Sequence, residues 1–275
     1  MDLRGKRVVV SGGNSGIGRA AVLQLAREGA HVAAVARDQG RLDAVIAEAR
    51  AIAGPDRRLV AISVDLTDDA AVSDGAARAI EALGGIDVLI CNAGYARAAS
   101  VTDHDLGGFH ALMETNFFGH VRLVRALLPV FKQQRSGAIS LVTSMLGFMS
   151  FYGYGAYSAS KFAIVGFAEA LRQELLPYGV QVGVFYPPTT DTPGLVTENE
   201  TKPALSWAIE GTSRKFTPDD VAVALLQGIR KGWFTNMIGA DSWAIWYLSR
   251  WAPGLVRWVL DREVHAYVKK NGLTV

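Results

Sequence analysis

Residues 7–19 read RVVVSGGNSGIGR: a β-branched run, a knot of glycines, then a helical pattern. An apolar run that stops at glycine reads as a buried strand ending in a turn. Gly12, Gly16 and Gly18 permit a tight turn, close approach of backbone, and close packing of the helix that follows. That helix opens with unpaired amides, a natural seat for phosphate. Asn14, Ser15 and Ile17 are therefore expected to line the same seat. An ATPase loop would need Lys and then Ser or Thr after the glycines, but Arg19 and Ala20 stand there. The spacing is a wide G-x-x-x-G-x-G, which suits the pyrophosphate of a dinucleotide.

Outward from this stretch, strand and helix patterns alternate. Further strands are expected at 31–36, 58–65, 86–94, 138–144 and 181–186. Helices are expected at 17–29, near 39–52, after Asp68, near 107–134 and near 155–176. Short apolar β runs alternating with helices imply βαβ units and a parallel sheet covered on both faces. The expected fold is α/β: a single doubly wound Rossmann domain over residues 1–240, with a parallel sheet of about seven strands. Residues 241–275 read as a C-terminal extension of amphipathic helices, packed on that domain or on a membrane surface. Ligands belong outside the carboxyl ends of the strands.

The bounds agree with this. A chain of 275 residues, 50% hydrophobic and 20% charged, suits one large domain. The formal charge of +2 makes no case for nucleic acid. Cys91 is the one cysteine, which excludes an internal disulfide and fits a reducing compartment. The first strand begins too early to leave room for a signal peptide, and no apolar run is long enough to span a bilayer. A cytoplasmic location is expected, with a peripheral membrane contact left open. The five histidines show no metal-ligand spacing.

The second strand bears on the cofactor. An acid at its end would hold a ribose 2′-hydroxyl, whereas an arginine accommodates a 2′-phosphate. HVAAVARD (31–38) has Ala36 where the acid would stand and Arg37 next. Asp38 comes one step late and reads as a helix cap. NADP(H) is the expected cofactor.

Tyr157 and Lys161 lie four apart on a helix and share a face. A phenol near its ordinary pKa of about 10 exchanges protons poorly at neutrality. A neighbouring ammonium and a cationic nicotinamide would lower it and make it a proton donor to a developing alkoxide. Tyr152 and Tyr154 lack a cation at i+4.

With SGGNSGIG, CNAG (91–94), Asn116, Ser144 and YSASK in place, the chain resembles the short-chain dehydrogenase/reductase family from about residue 5 to 240. The resemblance implies Tyr157 as general acid/base, with Lys161 lowering its pKa and binding the nicotinamide ribose. It implies Ser144 on the substrate carbonyl and Asn116 holding a relay water. Asp65 and Leu66 would lie by the adenine, and Asn92, Ala93 and Gly94 along the cofactor. Cys91 replaces the family's usual Asn and reads as core. No catalytic metal is implied. The family commonly forms homodimers or homotetramers through the helices bearing Asn116 and Tyr157.

The stretch YPPTTDTPG (186–194) departs from the family's Pro-Gly-x-Val-x-Thr by carrying Pro188 in place of Gly. Pro187, Thr190 and Thr192 keep the positions that grip the nicotinamide carboxamide. Together with ENETKP (198–203) this loop resembles the 3-ketodihydrosphingosine reductase branch, whose substrate is a long-chain keto lipid. MLGFMSFYGY (145–154), almost wholly apolar, suits a wall against an acyl chain; a packed loop or subunit interface is the other reading. Five tryptophans fall in the last 43 residues, and from Gly228 onward seven Lys/Arg face three Asp/Glu. Aromatic, basic, amphipathic helices suit a membrane interface; a lid or dimer surface stays open beside it. Alternative substrates within the family are a 3-oxoacyl thioester, a steroid or a small alcohol. A non-catalytic dinucleotide-binding protein at a membrane is the alternative of another kind.

Overall fold

A computed structural model of the chain describes residues 1–211 and 213–272. It runs β1 (Arg7–Ser11), α1 (Gly16–Arg27), β2 (His31–Ala36), α2 (Gln39–Ile52), β3 (Leu59–Ser63), α3 (Asp69–Leu83) and β4 (Val88–Cys91). There follow α4 (Leu106–Met113), a π-helical turn (Glu114–Phe118), α5 (Gly119–Gln134), β5 (Gly137–Val142), α6 (Gly155–Leu175) and β6 (Val180–Tyr186). The chain closes with α7 (Pro193–Thr201), α8 (Ala204–Glu210), α9 (Pro218–Lys231), β7 (Thr235–Met237), α10 (Ala240–Trp251) and α11 (Pro253–Asn271).

All seven strands are parallel, in the order β3-β2-β1-β4-β5-β6-β7. The chain builds outward from β1 through β3, then crosses back to β4, so the order reverses between β1 and β4. That crevice is where a doubly wound sheet takes its ligand. Side chains of α1, α2 and α9 cover one face of the sheet. Those of α3, α5 and α6 cover the other. Burial on both faces is why β1, β2 and β4 carry such unbroken apolar runs.

Two features depart from the sequence pattern. The helix expected over 107–134 is divided by the π turn, which carries the wholly buried Asn116. A π turn inserted in a helix is a recurrent device at functional sites. β7 is three residues long and two of them are polar, so it has no periodicity to read; pairing with β6 makes it a strand.

At the C-terminus, Trp243 and Trp246 of α10 pack against the core under α6. Pro253 opens α11, which has no fully buried residue and leans on α8. Trp251 is 84% exposed and Trp258 56%. Among the described residues no helix is long and apolar enough to cross a membrane.

Candidate active site

The glycine loop is shaped by atoms that are missing. Gly12 and Gly16 adopt positive φ, 67° and 51°. A Cβ on Gly12 would come 2.8 Å from the Asn92 amide and 2.9 Å from the Ala93 backbone. One on Gly18 would overlap the carbonyl of Gly12, so α1 can start this close to the turn only with glycine there. Ser15 stands at the N-cap of α1 without a side-chain cap bond, and the first turn carries no acid. The positive end of the helix is thus left for an anion. Asn14, Ser15, Gly16, Arg19 and Arg41 border an open cleft of about 410 Å³ in front of it. Ile17 backs the turn, packed on the core behind. These residues fit the pyrophosphate of a dinucleotide.

Beside this cradle, Ser11 Oγ accepts from the backbone N–H of Asn92 (2.9 Å) and of Ala93 (3.1 Å). The Asn92 side chain donates back to the Ser11 carbonyl at 3.1 Å. The His120 ring donates to the Ala93 carbonyl at 2.7 Å. Burial, with the nearby Lys161 charge, holds that imidazole down to about 3. The ends of β1 and β4 are thereby locked in register at the crevice. Cys91, one residue earlier, is wholly buried, and burial pushes its thiol far up, which suits core packing and not nucleophilic use.

At the end of β2, Arg37 is exposed; its carbonyl accepts from Ser63 Oγ at 2.8 Å, and its charge reaches Asp65. Asp38 caps α2, accepting from the Arg41 amide at 3.0 Å and pairing with its guanidinium at 3.3 Å. The Asp38 carboxylate is thus turned into the helix start. Asp65 binds the amide and hydroxyl of Thr67 at 2.9 and 2.8 Å. Those bonds hold its carboxyl below the usual range. Leu66 lies buried beside it.

Ser144, Tyr157, Lys161 and Asn116 converge beyond the ends of β4 and β5. Lys161 is buried, with Nζ 3.3 Å from the Val142 carbonyl and 5.7 Å from the Tyr157 ring centroid. Burial lowers the ammonium to about 8. Burial also pushes the Tyr157 phenol up; hydrogen bonding with Ser144 opposes this, and the charge of Glu198 reinforces it. With protein groups alone, desolvation outweighs the lowering expected of a Tyr–Lys pair. Asn116 Oδ1 accepts from Tyr95 N, and its amide donates to Tyr95 O and Ser160 Oγ, each at 3.0 Å. Ser160 Oγ in turn donates to the Tyr157 carbonyl at 2.6 Å. Gly94 lies against this group: a Cβ there would be 2.9 Å from Asn116 Oδ1.

The loop after β6 spans the site. The Pro187 carbonyl accepts from Met145 N at 3.3 Å, beside Ser144. Thr190 pairs with Phe216 through bonds made by Thr189 O and Asp191 N, so its own N–H and C=O face away from that pairing. Thr192 caps α7 and abuts Gly16. Pro188 is accommodated without a cis bond, and its carbonyl accepts from Thr190 Oγ1 at 2.8 Å.

Ser11, His120, Thr143 (Oγ1 to the Lys161 carbonyl, 2.8 Å) and Ser160 have no role assigned from the sequence. Only Ser11, a lone polar residue closing an apolar strand, carries a local signal.

The chain matches the short chain dehydrogenase family over residues 6–203, and it belongs to that family. With that membership it is an NAD(P)-dependent oxidoreductase acting on C=O and CH–OH groups. It is 38% identical over 247 residues to a 3-dehydrosphinganine reductase of Danio rerio, covering 89% of this chain and 74% of that protein. It is 38% identical over 245 residues to a 3-ketodihydrosphingosine reductase of Bos taurus, covering 88% and 74%. Among solved structures, a short chain dehydrogenase/reductase of Burkholderia phymatum in complex with NAD superposes with a TM-score of 0.80 at 23% identity. That likeness covers 93% of this chain and 96% of the other and bears on the fold.

Proposed function

We propose that this protein reduces the keto group of a long-chain lipid, 3-ketodihydrosphingosine, to dihydrosphingosine with NADPH. The observation that carries the reading is the apolar cluster in which Tyr157 sits: Ala98, Leu146 and Tyr154 buried, with Met149 and Phe151 packed against them. A proton donor set in such a wall suits a carbonyl carried on an alkyl chain. The names of the relatives point to the same substrate.

NADPH, when bound, supplies the hydride that adds to the carbonyl carbon. Tyr157 gives its proton to the carbonyl oxygen, and Ser144 holds that oxygen by a hydrogen bond. Lys161 lies below the phenol, where its ammonium favours the phenolate once formed. Asn116 holds the turn in which a relay water is taken up beside Lys161. For the dinucleotide, Gly12, Asn14, Ser15, Gly16, Ile17 and Gly18 cradle the pyrophosphate and Arg37 meets the 2′-phosphate. Asp65 and Leu66 flank the adenine, and Asn92, Ala93 and Gly94 line the middle. Lys161 and Tyr157 reach the nicotinamide ribose, and Pro187, Thr190 and Thr192 grip the carboxamide, with Thr190 using the backbone groups that face away from Phe216. Residues 1–240 form this catalytic unit, and residues 241–275 are its helical extension.

Two surfaces complete the proposal. Trp251, Leu255 and Trp258 are exposed beside Arg250, Arg257 and Arg262 and would meet an anionic lipid surface from the cytoplasmic side. Phe118 and Phe162, exposed near the starts of α5 and α6, suit a homodimer. Co-sedimentation with anionic vesicles and the mass in solution test these two.

The deciding assay follows loss of reduced nicotinamide with 3-ketodihydrosphingosine in detergent, against a short ketone and against NADH. Turnover with the lipid and NADPH is the expected outcome. Arg37→Ala should cut the preference for NADPH over NADH by about ten- to hundredfold, the weight of a charge-assisted bond. Turnover of short or thioester substrates alone would discard the lipid reading.

A further inference from the structure

ENETKP (198–203) finds no use in the chemistry above, yet two of its residues build an unusual group. The side chain of Lys202 is wholly enclosed, with Nζ 2.5 Å from Glu210 and 3.3 Å from Glu198. Its ammonium lies 4.5 Å from the Trp207 ring centroid and 6.0 Å from that of Tyr154. The Tyr154 hydroxyl donates to Glu198, and Thr189 Oγ1 donates to Glu210 at 3.3 Å. One ammonium therefore answers two carboxylates that are themselves largely enclosed, 17% and 16% exposed. The group carries a formal charge of −1. Excess charge taken out of water is costly unless something neutralises it.

This excess lies beside the reacting centre. The Tyr154 ring stands edge-on to Tyr157, centroids 6.1 Å apart, with Glu198 on its hydroxyl. The charge of Glu198 reaches the Tyr157 phenol, and Lys202 spends its positive charge between both acids. A ligand that places a cation one or two bonds from its carbonyl would complete the group. A neutral amide would leave it uncompensated, and an anionic carrier would be repelled.

We infer that Glu198 is a specificity-determining residue that reads a protonated amine next to the carbonyl being reduced. The inference rests on the proposed substrate, a ketone whose neighbouring carbon bears an amino group. Tyr154 and Lys202 hold Glu198 in place and are positioning residues.

The test compares kcat/KM for 3-ketodihydrosphingosine with that for its N-acetyl derivative, which keeps the chain and ketone but cannot be protonated. The wild-type protein should favour the free amine by about ten- to hundredfold. In Glu198→Gln that ratio should collapse toward unity, whereas Tyr154→Phe, which leaves the carboxylate charged, should keep most of it. A ratio near unity in the wild-type protein, or one that survives Glu198→Gln, overturns the inference. The wild-type ratio decides alone if the Gln variant fails to fold. Reduction of neither lipid, with turnover of some other ketone, removes the substrate reading and this inference with it. Equal reduction of both removes this inference alone.

Discussion

On the β1 side of Tyr157 the walls are backbone: the turn at Gly12, the start of α1, and the chain at Ala93–Gly94, brought close by Cβ atoms that are missing. On the α7–α8 side they are side chains: Tyr154, Glu198, Lys202, Trp207 and Glu210, held by ion pairs and ring contacts. A backbone wall offers every dinucleotide the same amides and the same helix end, so it binds a cofactor without regard to substrate. A side-chain wall carries charge and shape that can distinguish one ketone from another. The difference separates a surface suited to holding a cofactor from one suited to choosing a ketone.

Three substitutions would break or sharpen that contrast. Tyr157→Phe strikes the junction of the two walls. Turnover should fall by about 10²–10⁴-fold, the usual weight of general acid catalysis, while dinucleotide affinity stays within a few fold of wild type, about 1 kcal/mol or less for one lost hydroxyl bond. Turnover near the wild-type level would remove Tyr157 from the chemistry.

Lys161→Met tests the cost of the buried ammonium. Burial lowers Lys161 from an ordinary 10.5 to about 8, so the folded chain prefers it neutral. Between those values the unfolded chain binds more protons, and stability rises with pH across that window. Below about pH 8 the full cost is present, on the order of 3 kcal/mol. The Met variant should thus be the more stable at pH 7 and lose that advantage by about pH 10.5. Denaturant unfolding at the two pH values reads this, and an advantage that does not shrink would show that the lysine stays charged in the fold.

Gly18→Ala should have the smallest effect of the three and a different signature. Its Cβ meets the Gly12 carbonyl, so about 1–3 kcal/mol of stability is lost, and dinucleotide affinity falls with it. The amine preference proposed for Glu198 should be untouched. A melting temperature and affinity equal to wild type would mean that the turn is looser than its geometry implies.

The same contrast explains what could be read from the chain before its fold. The glycine turn, Arg37 and the Tyr–Lys pair lie within short stretches, and each stands out by local spacing alone. The helix caps at Asp38 and Asp68 and the break at Pro253 are local too. The π turn at Asn116, the strand β7 and the bond from the Asn116 amide to Ser160 left no such trace. Each depends on a partner far along the chain.

By itself the sequence determined the doubly wound fold, the glycine turn ahead of α1 and the shared helix face of Tyr157 and Lys161, because periodicity, glycine and helical i,i+4 spacing act over a few residues. Only the tertiary structure decided the balance of charge at the reacting centre. Lys202 is a surface residue by composition, yet folding encloses it between Glu198 and Glu210. Burial likewise overrides the attraction expected at Tyr157 and Lys161. The strength of a charge depends on the dielectric around it, and that is set by everything packed against it, whatever its distance in sequence.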